Sequence, residues 1–389
     1  MIRSTDRILT THAGRLPRSA ELTRLVLARA AGESHDSDLL ARTLREEVAA
    51  LVERQIQCGI DSVNDGEASK TNFNNYVRER LSGLEERPYV EGKSPSHLTI
   101  VSRDARKFPE YFALGLSGFA RVAPPRSQIF CTGPLSYIGQ GALAQDFANF
   151  HAALAGREVS EAYLPAVTPG TIEHWLYNEH YPSQEAFLQA AAEALAKEYR
   201  AIVDAGFTLQ IDDPDLPDCW LMYPDMSKAD YLKYAAARVE ALNHALSGIP
   251  REKVRLHVCW GSFHGPHHDD IPLRDIVDII FSVDAGSYSI EASNPAHEHE
   301  SAVFEDLRLP EGATLVPGVV GHCTDFIEHP DLVADRLVRY AGLVGRENVI
   351  AGTDCGLGGR VGHPSIAWAK LEALTEGARR ATRRLWRNR

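Results

Sequence analysis

Apolar and polar positions along this chain alternate between two periods. Eight short runs read as buried strands: residues 8–14, 62–67, 127–134, 208–214, 254–261, 287–293, 314–321 and 349–356. Between most of them lie amphipathic segments of helical period, clearest over 39–58, 184–205, 228–246, 272–284, 331–344 and 364–385. A short leading helix is expected around 19–31. Strands that alternate with helices pack as a parallel sheet, and eight of them predict a single (β/α)8 TIM barrel, an α/β fold, with residues 1–389 as one domain. The stretches 67–127 and 134–208 are long insertions after strands two and three. Each exceeds a simple crossover and is expected to carry extra helices or a hairpin over the barrel mouth. A doubly wound dinucleotide fold would place a glycine-rich turn after the first strand, and Thr11-His12-Ala13-Gly14-Arg15-Leu16-Pro17 is not one. No internal repeat or low-complexity linker interrupts the pattern.

Composition narrows the function more than the fold. Of 389 residues, 44% are hydrophobic and 24% charged, as in an ordinary globular protein. The net charge of −12 argues against nucleic-acid binding, which needs a basic face. The basic C-terminus, with Arg379, Arg380, Arg383, Arg384, Arg387 and Arg389, reads as a solvated helix end. No apolar run approaches the ~20 residues of a membrane span, and the N-terminus lacks a signal-peptide core. Six cysteines without dense pairing fit a reducing cytoplasm, where thiols stay available as ligands.

Chemistry-bearing side chains gather at the C-terminal ends of the expected strands, where such barrels build their sites. They are His12, Asp65, Glu67, Asp212, Asp213, His257, Cys259, Glu291, His322, Cys323, Asp354 and Cys355. His257 and Cys259 are two apart, so on a strand both point to one face. With Glu291 and Cys355 they offer two sulfurs, an imidazole and a carboxylate, a set that fits one Zn²⁺. Two thiolates make zinc a weak Lewis acid for water and favour activation of a thiol, with Glu291 the displaceable ligand. Singly, each cysteine reads as a buried small hydrophobe; Cys58, Cys131 and Cys219 are expected to be structural. Asp212 and Glu67 are candidate catalytic or ammonium-binding carboxylates. Asp213 reads equally as a helix cap. The His264–Asp270 stretch is rich in metal ligands and competes as a second metal site, but it reads rather as a solvated or substrate-facing loop, as do His297, His299 and Glu300 beyond strand six.

These motifs together resemble the cobalamin-independent methionine synthase family, in its catalytic half. The resemblance is carried by Thr10 to Pro17, Gly66-Glu67, Thr132-Gly133-Pro134, Gln210-Ile211-Asp212-Asp213-Pro214, His257-x-Cys259, Ile290-Glu291-Ala292-Ser293 and Asp354-Cys355-Gly356. It implies zinc held by His257, Cys259, Glu291 and Cys355, and methyl transfer to a thiol, by default homocysteine. It implies that Glu67 and Asp212 hold the substrate amino group and that the turn near Gly14-Arg15 meets its carboxylate; His12 and Asp213 complete the substrate-binding candidates. The donor would be a folate, a corrinoid or another small alkyl carrier. Arg15, Asp213 and the histidine-rich loop depart from the family pattern. Arg15 has the geometry to pair with an anionic group on a different substrate. Single-barrel relatives also include epoxide-opening thiol transferases. From other classes come a zinc hydrolase on the same barrel, which would favour His and Asp ligands over two cysteines, and a metal-free decarboxylase, which leaves both cysteines without a role.

Overall fold

A computed structural model describes residues 2–90, 102–114 and 127–386; Arg387 and Arg389 of the basic tail lie outside them. The strands are β1 (Leu9–Thr10), β2 (Ser62–Val63), β3 (Leu84–Pro88), β4 (Ser127–Cys131), β5 (Glu161–Val167), β6 (Tyr177–Asn178), β7 (Thr208–Asp212), β8 (Val254–Val258), β9 (Ser287–Glu291), β10 (Thr314–Val320) and β11 (Ile350–Thr353). Eight form the main sheet in the order β1-β11-β10-β9-β8-β7-β5-β2, every pair parallel. The edges β1 and β2 come together through the Asp61 N–H, which donates to the Thr10 carbonyl at 3.1 Å. The result is a nearly closed (β/α)8 barrel.

The helices form where the apolar period predicted. Ser37–Cys58 starts at Asp36, whose side chain accepts from the Leu39 N–H, and ends at Gly59 with φ 85. Its Leu40, Leu44, Val48, Leu51 and Val52 line one buried face against the barrel. Lys228–Leu246 and Pro364–Leu385 match their expected bounds. Arg379, Arg380, Arg383 and Arg384 pair with Glu376, Asp331 and Asp335, as a solvated helix end should. Among the described residues no helix is long and apolar enough to cross a membrane.

The third barrel strand is not the one expected. Ser127–Cys131 joins a separate sheet, antiparallel to β3 and parallel to β6, while Glu161–Val167 takes the place between β2 and β7. The run Ile129-Phe130-Cys131 has the stronger strand composition; Glu161–Val167 is broken by Pro165, which argues against a central strand. Yet β2 pairs only as far as Ala162, so at Pro165 the strand has a partner on one side only and the missing N–H is tolerated. The long insertion therefore lies between β2 and β5. Its antiparallel strands β3 and β4 contribute Glu86, Ser127, Gln128 and Ile129 to the lining of the site cavity.

Candidate metal and substrate site

Strand register sets the floor of the site. Asp212 on β7 stands beside His257 on β8, and His257 beside Ser289 on β9. His257 is 2% exposed, and its Nδ1 lies 3.0 Å from the Ser289 hydroxyl. Its Nε2 is buried without a hydrogen-bond partner. One ligand-capable atom each of His257, Cys259 and Cys355 lies within 4.8 Å of the others. The Cys259 and Cys355 sulfurs are 3.8 Å apart. That is far beyond a disulfide bond of about 2.05 Å. Two Zn–S bonds of about 2.3 Å at a tetrahedral angle separate their sulfurs by about 3.8 Å, so the spacing fits a shared zinc. The hydrogen bond from Cys259, with His257 beside it, holds the Cys355 thiol well below the usual thiol range, and the same pairing pushes Cys259 up. An imidazole nitrogen without a hydrogen-bond partner, beside two sulfurs of which Cys355 is biased toward thiolate, suits a divalent cation of the zinc class.

Glu291 stands apart from this trio. Its Oε2 accepts the Trp260 N–H at 2.8 Å and its Oε1 the Asn294 side-chain amide at 2.9 Å. Its carboxylate groups instead with His322 and Asp354. The expected four-ligand set is thus three converging ligands with a neighbouring carboxylate held off by two donors. Asp354 ties β11 to β9: its Oδ1 accepts the N–H groups of Ala292 and Ser293, at 2.7 and 3.0 Å. That close approach requires Gly318, where an added Cβ would lie 2.5 Å from the Asp354 Cα.

A cavity of about 720 Å³ opens above the trio. Arg15, Glu67, Asp212, His257, Cys259 and Cys355 line its floor; Arg78, Glu86, Gln128 and Tyr177 line its roof. Glu67 is 3% exposed, and its Oε2 has no hydrogen-bond partner. Lys70 Nζ stands 3.9 Å from that oxygen. Glu67 sits at φ 53, a left-handed conformation that non-glycine residues rarely adopt. Burial, and then the Glu67 charge, push the Asp212 carboxyl up to about 7. Two buried carboxylates with an unfilled acceptor have the chemistry to take up a cation such as an ammonium group. Arg15 donates to the Thr71 carbonyl at 3.0 Å, and its turn is fastened to the Cys355 loop by the Gly358 N–H, which donates to the Arg15 carbonyl at 2.8 Å.

His12 and Asp213 do not line the cavity. His12 lies in the core beneath it, with Nε2 2.8 Å from the Gln55 side-chain oxygen, and burial pulls its imidazole down to about 4. Its backbone carbonyl accepts the Tyr163 hydroxyl at 2.6 Å. Asp213 accepts hydrogen bonds from Thr168 and from the Leu216 N–H, which is the capping alternative.

Comparison with known proteins bears on this geometry. Residues 145–379 match the family described as cobalamin-independent synthase, catalytic domain. The chain belongs to this family. A methionine synthase of Thermococcus kodakarensis is 27% identical over 72% of this chain and 75% of its own length. That of Saccharolobus solfataricus is 24% identical over 95% and 93%. The 5-methyltetrahydropteroyltriglutamate–homocysteine methyltransferase of Saccharophagus degradans is 25% identical over 90% of this chain, which spans 39% of that protein. A B12-independent methionine synthase from Shewanella sp. W3-18-1, solved in complex with selenomethionine, superposes with a TM-score of 0.70 at 20% identity, covering 97% of this chain and 99% of that one. It shows the same fold.

In this synthase-family chain the structure adds residues that sequence patterning passed over. Asp218, on the helix Asp215–Met222, lines the cavity, and burial holds its carboxyl well above the usual range. It follows Asp212 by six residues across a turn, so no strand or helix period links the two. Ser262 joins two site groups: its hydroxyl donates to the Cys355 sulfur at 3.5 Å and lies 2.9 Å from the His322 Nε2. The loop after β8 also differs from expectation. The side chains of His267 and Asp270 are buried, not solvated, and meet His297 and Glu300.

Proposed function

We propose that this chain is a zinc-dependent methyltransferase that methylates a small thiol, with homocysteine the default acceptor and a methylated tetrahydropteroyl compound the default donor. The observation that carries the reading is the convergence of His257, Cys259 and Cys355 at the floor of a cavity whose walls offer carboxylates for an ammonium and Arg15 for a carboxylate. Zinc held by these three residues supplies a centre that lowers the pKa of an incoming thiol and keeps its sulfur nucleophilic at neutral pH.

The remaining tasks fall to the protein. Glu67 and Asp212 fix the acceptor's ammonium, and the Gly14-Arg15 turn receives its carboxylate, so the sulfur is directed at the trio. The roof strands β3 and β4 limit water above it. Asp218, whose carboxyl burial holds well above the usual range, lines the cavity on the side open to the methyl donor. In the transfer a sulfur–carbon bond forms as the donor's nitrogen–methyl bond breaks, and the leaving nitrogen takes up a proton. Glu291, held by the Trp260 N–H and the Asn294 amide, keeps its carboxylate with His322 and Asp354 beside the trio. The family's description as cobalamin-independent speaks against a corrinoid donor.

The test is a screen of zinc-loaded protein with homocysteine, coenzyme M and glutathione against methyltetrahydropteroyl donors and epoxides. Methionine formed from homocysteine supports the reading. Turnover confined to epoxides would replace it with the epoxide-opening alternative.

A further inference from the structure

Behind the Cys259 wall of the cavity, the loop after β8 and the turn after β9 bring His267, Asp270 and His297 together. One ligand-capable atom of each lies within 4.8 Å of the others. Their side chains are 6%, 4% and 3% exposed. His267 Nδ1 and His297 Nε2 both face Asp270 Oδ2, at 2.8 Å each. The opposite ring nitrogens are anchored elsewhere. His267 Nε2 lies 3.1 Å from the Phe263 carbonyl, and His297 Nδ1 lies 2.8 Å from Glu300 Oε2. With the outer nitrogens protonated toward the Phe263 carbonyl and Glu300, a neutral ring at either position turns a lone pair toward Asp270 Oδ2, and that contact needs a cation or a second proton between them. A carbonyl or carboxylate behind the imidazole is the support that orients metal-binding histidines. His267 also holds φ 49, a backbone strain that a purely solvated loop would relax.

We propose that His267 Nδ1, Asp270 and His297 Nε2 form a second divalent-metal site, of the zinc class by its nitrogen and oxygen donors, distinct from the His257, Cys259 and Cys355 trio. The rival arrangement is proton-filled: two imidazolium rings share Asp270. Both arrangements place two positive charges beside Asp270 and Glu300. They differ at Asp270 Oδ1, which is buried without a hydrogen-bond partner. Protons leave that oxygen unpaired; a cation bound by both carboxylate oxygens satisfies it. The site would rivet the loop to the barrel. The Trp260 ring lies 4.4 Å from that of His297, its indole N–H donates to the Ile271 carbonyl at 2.6 Å, and its backbone N–H holds Glu291. The metal would therefore brace the wall that carries Cys259. This site does not depend on the reaction proposed above.

The experiment counts zinc in folded, zinc-reconstituted protein after removal of excess metal. Asp270→Asn and His297→Gln should each lower the content by about one zinc per chain relative to wild type, and Cys355→Ser by a separate one. Wild-type zinc content in both loop variants would overturn the proposal. A second measurement leaves the loop untouched. The Cys259→Ser/Cys355→Ser protein, titrated with cobalt, should bind about one ion and show no thiolate absorption. If that protein binds no cobalt, the cluster is proton-filled and the proposal fails, whatever becomes of the trio.

Discussion

Replacing Gly14 with alanine isolates the ammonium receptor from the metal ligands. Gly14 has φ +137, and a Cβ built there would lie 2.6 Å from Glu67 Oε1. Ordinary contacts begin near 3.4 Å, so the carboxylate must move by several tenths of an ångström or the turn must shift. The backbone strain costs about 1–3 kcal/mol in stability. Glu67 is buried among fixed groups, so its displacement takes it off the ammonium position. Losing one charge-assisted hydrogen bond costs about 1.5–3 kcal/mol in binding, which is roughly tenfold to a hundredfold in KM for the thiol. The nearest atoms to the new methyl group belong to Glu67 and Pro165, not to the metal ligands. Steady-state kinetics with the amino thiol, alongside zinc analysis, should show the KM rise with zinc content unchanged. A second arm uses a thiol without an amino group, for which the KM change should be small. An unchanged KM for homocysteine, or equal losses for both thiols, would refute the role given to Glu67.

Other expectations follow from the same geometry. Cys355→Ser should lose zinc and methyl transfer while the circular dichroism of the fold persists; metal analysis and activity check it, and full turnover in the variant would remove Cys355 from the site. Asp212 must be ionised to hold an ammonium, and burial places its carboxyl near 7. Hence kcat/KM for the amino thiol should fall as pH drops from 8 through about 7, and Asp212→Asn should remove that limb of the profile. Asp65 is raised to about 7, chiefly by burial. Its folded value exceeds its unfolded one, so its contribution to stability is fully present below about pH 3.9 and declines as pH rises toward 7. Asp65→Asn should therefore gain stability relative to wild type across that window, by up to about 1.4 kcal/mol per unit; denaturation curves at pH 5 and pH 8 with the same difference would contradict this.

The barrel was legible because seven of its strands fall on short strand-like runs that alternate with amphipathic helices of clear start and stop. Asp36 and Gly59 bracket one helix as capping chemistry requires. The third strand was not legible, because Pro165 lowers its strand character while the stronger run at Ile129-Phe130 pairs outside the barrel. Its acceptability depends on a neighbour, β2, that ends early, and local sequence does not record that. The pair His257 and Cys259 follows from strand period alone, and Cys355 joins them across the barrel. The position of Glu291 does not follow, since it is decided by donors from Trp260 and Asn294. His12 shares a strand end with the site residues, yet its ring turns into the core toward Gln55. Loop residues were the hardest. His267, Asp270 and His297 look solvated in a polar stretch, and only the packing of two loops buries them.

The central claim is that His257, Cys259 and Cys355 hold a metal that takes the thiol substrate as a ligand. X-ray absorption at the zinc edge, with and without homocysteine, tests it most directly, and the difference is insensitive to a second zinc elsewhere. The resting protein should show sulfur and nitrogen neighbours, and homocysteine should add a further sulfur at about 2.3 Å. A zinc shell without sulfur, or one unchanged by a thiol that is turned over, would contradict the account.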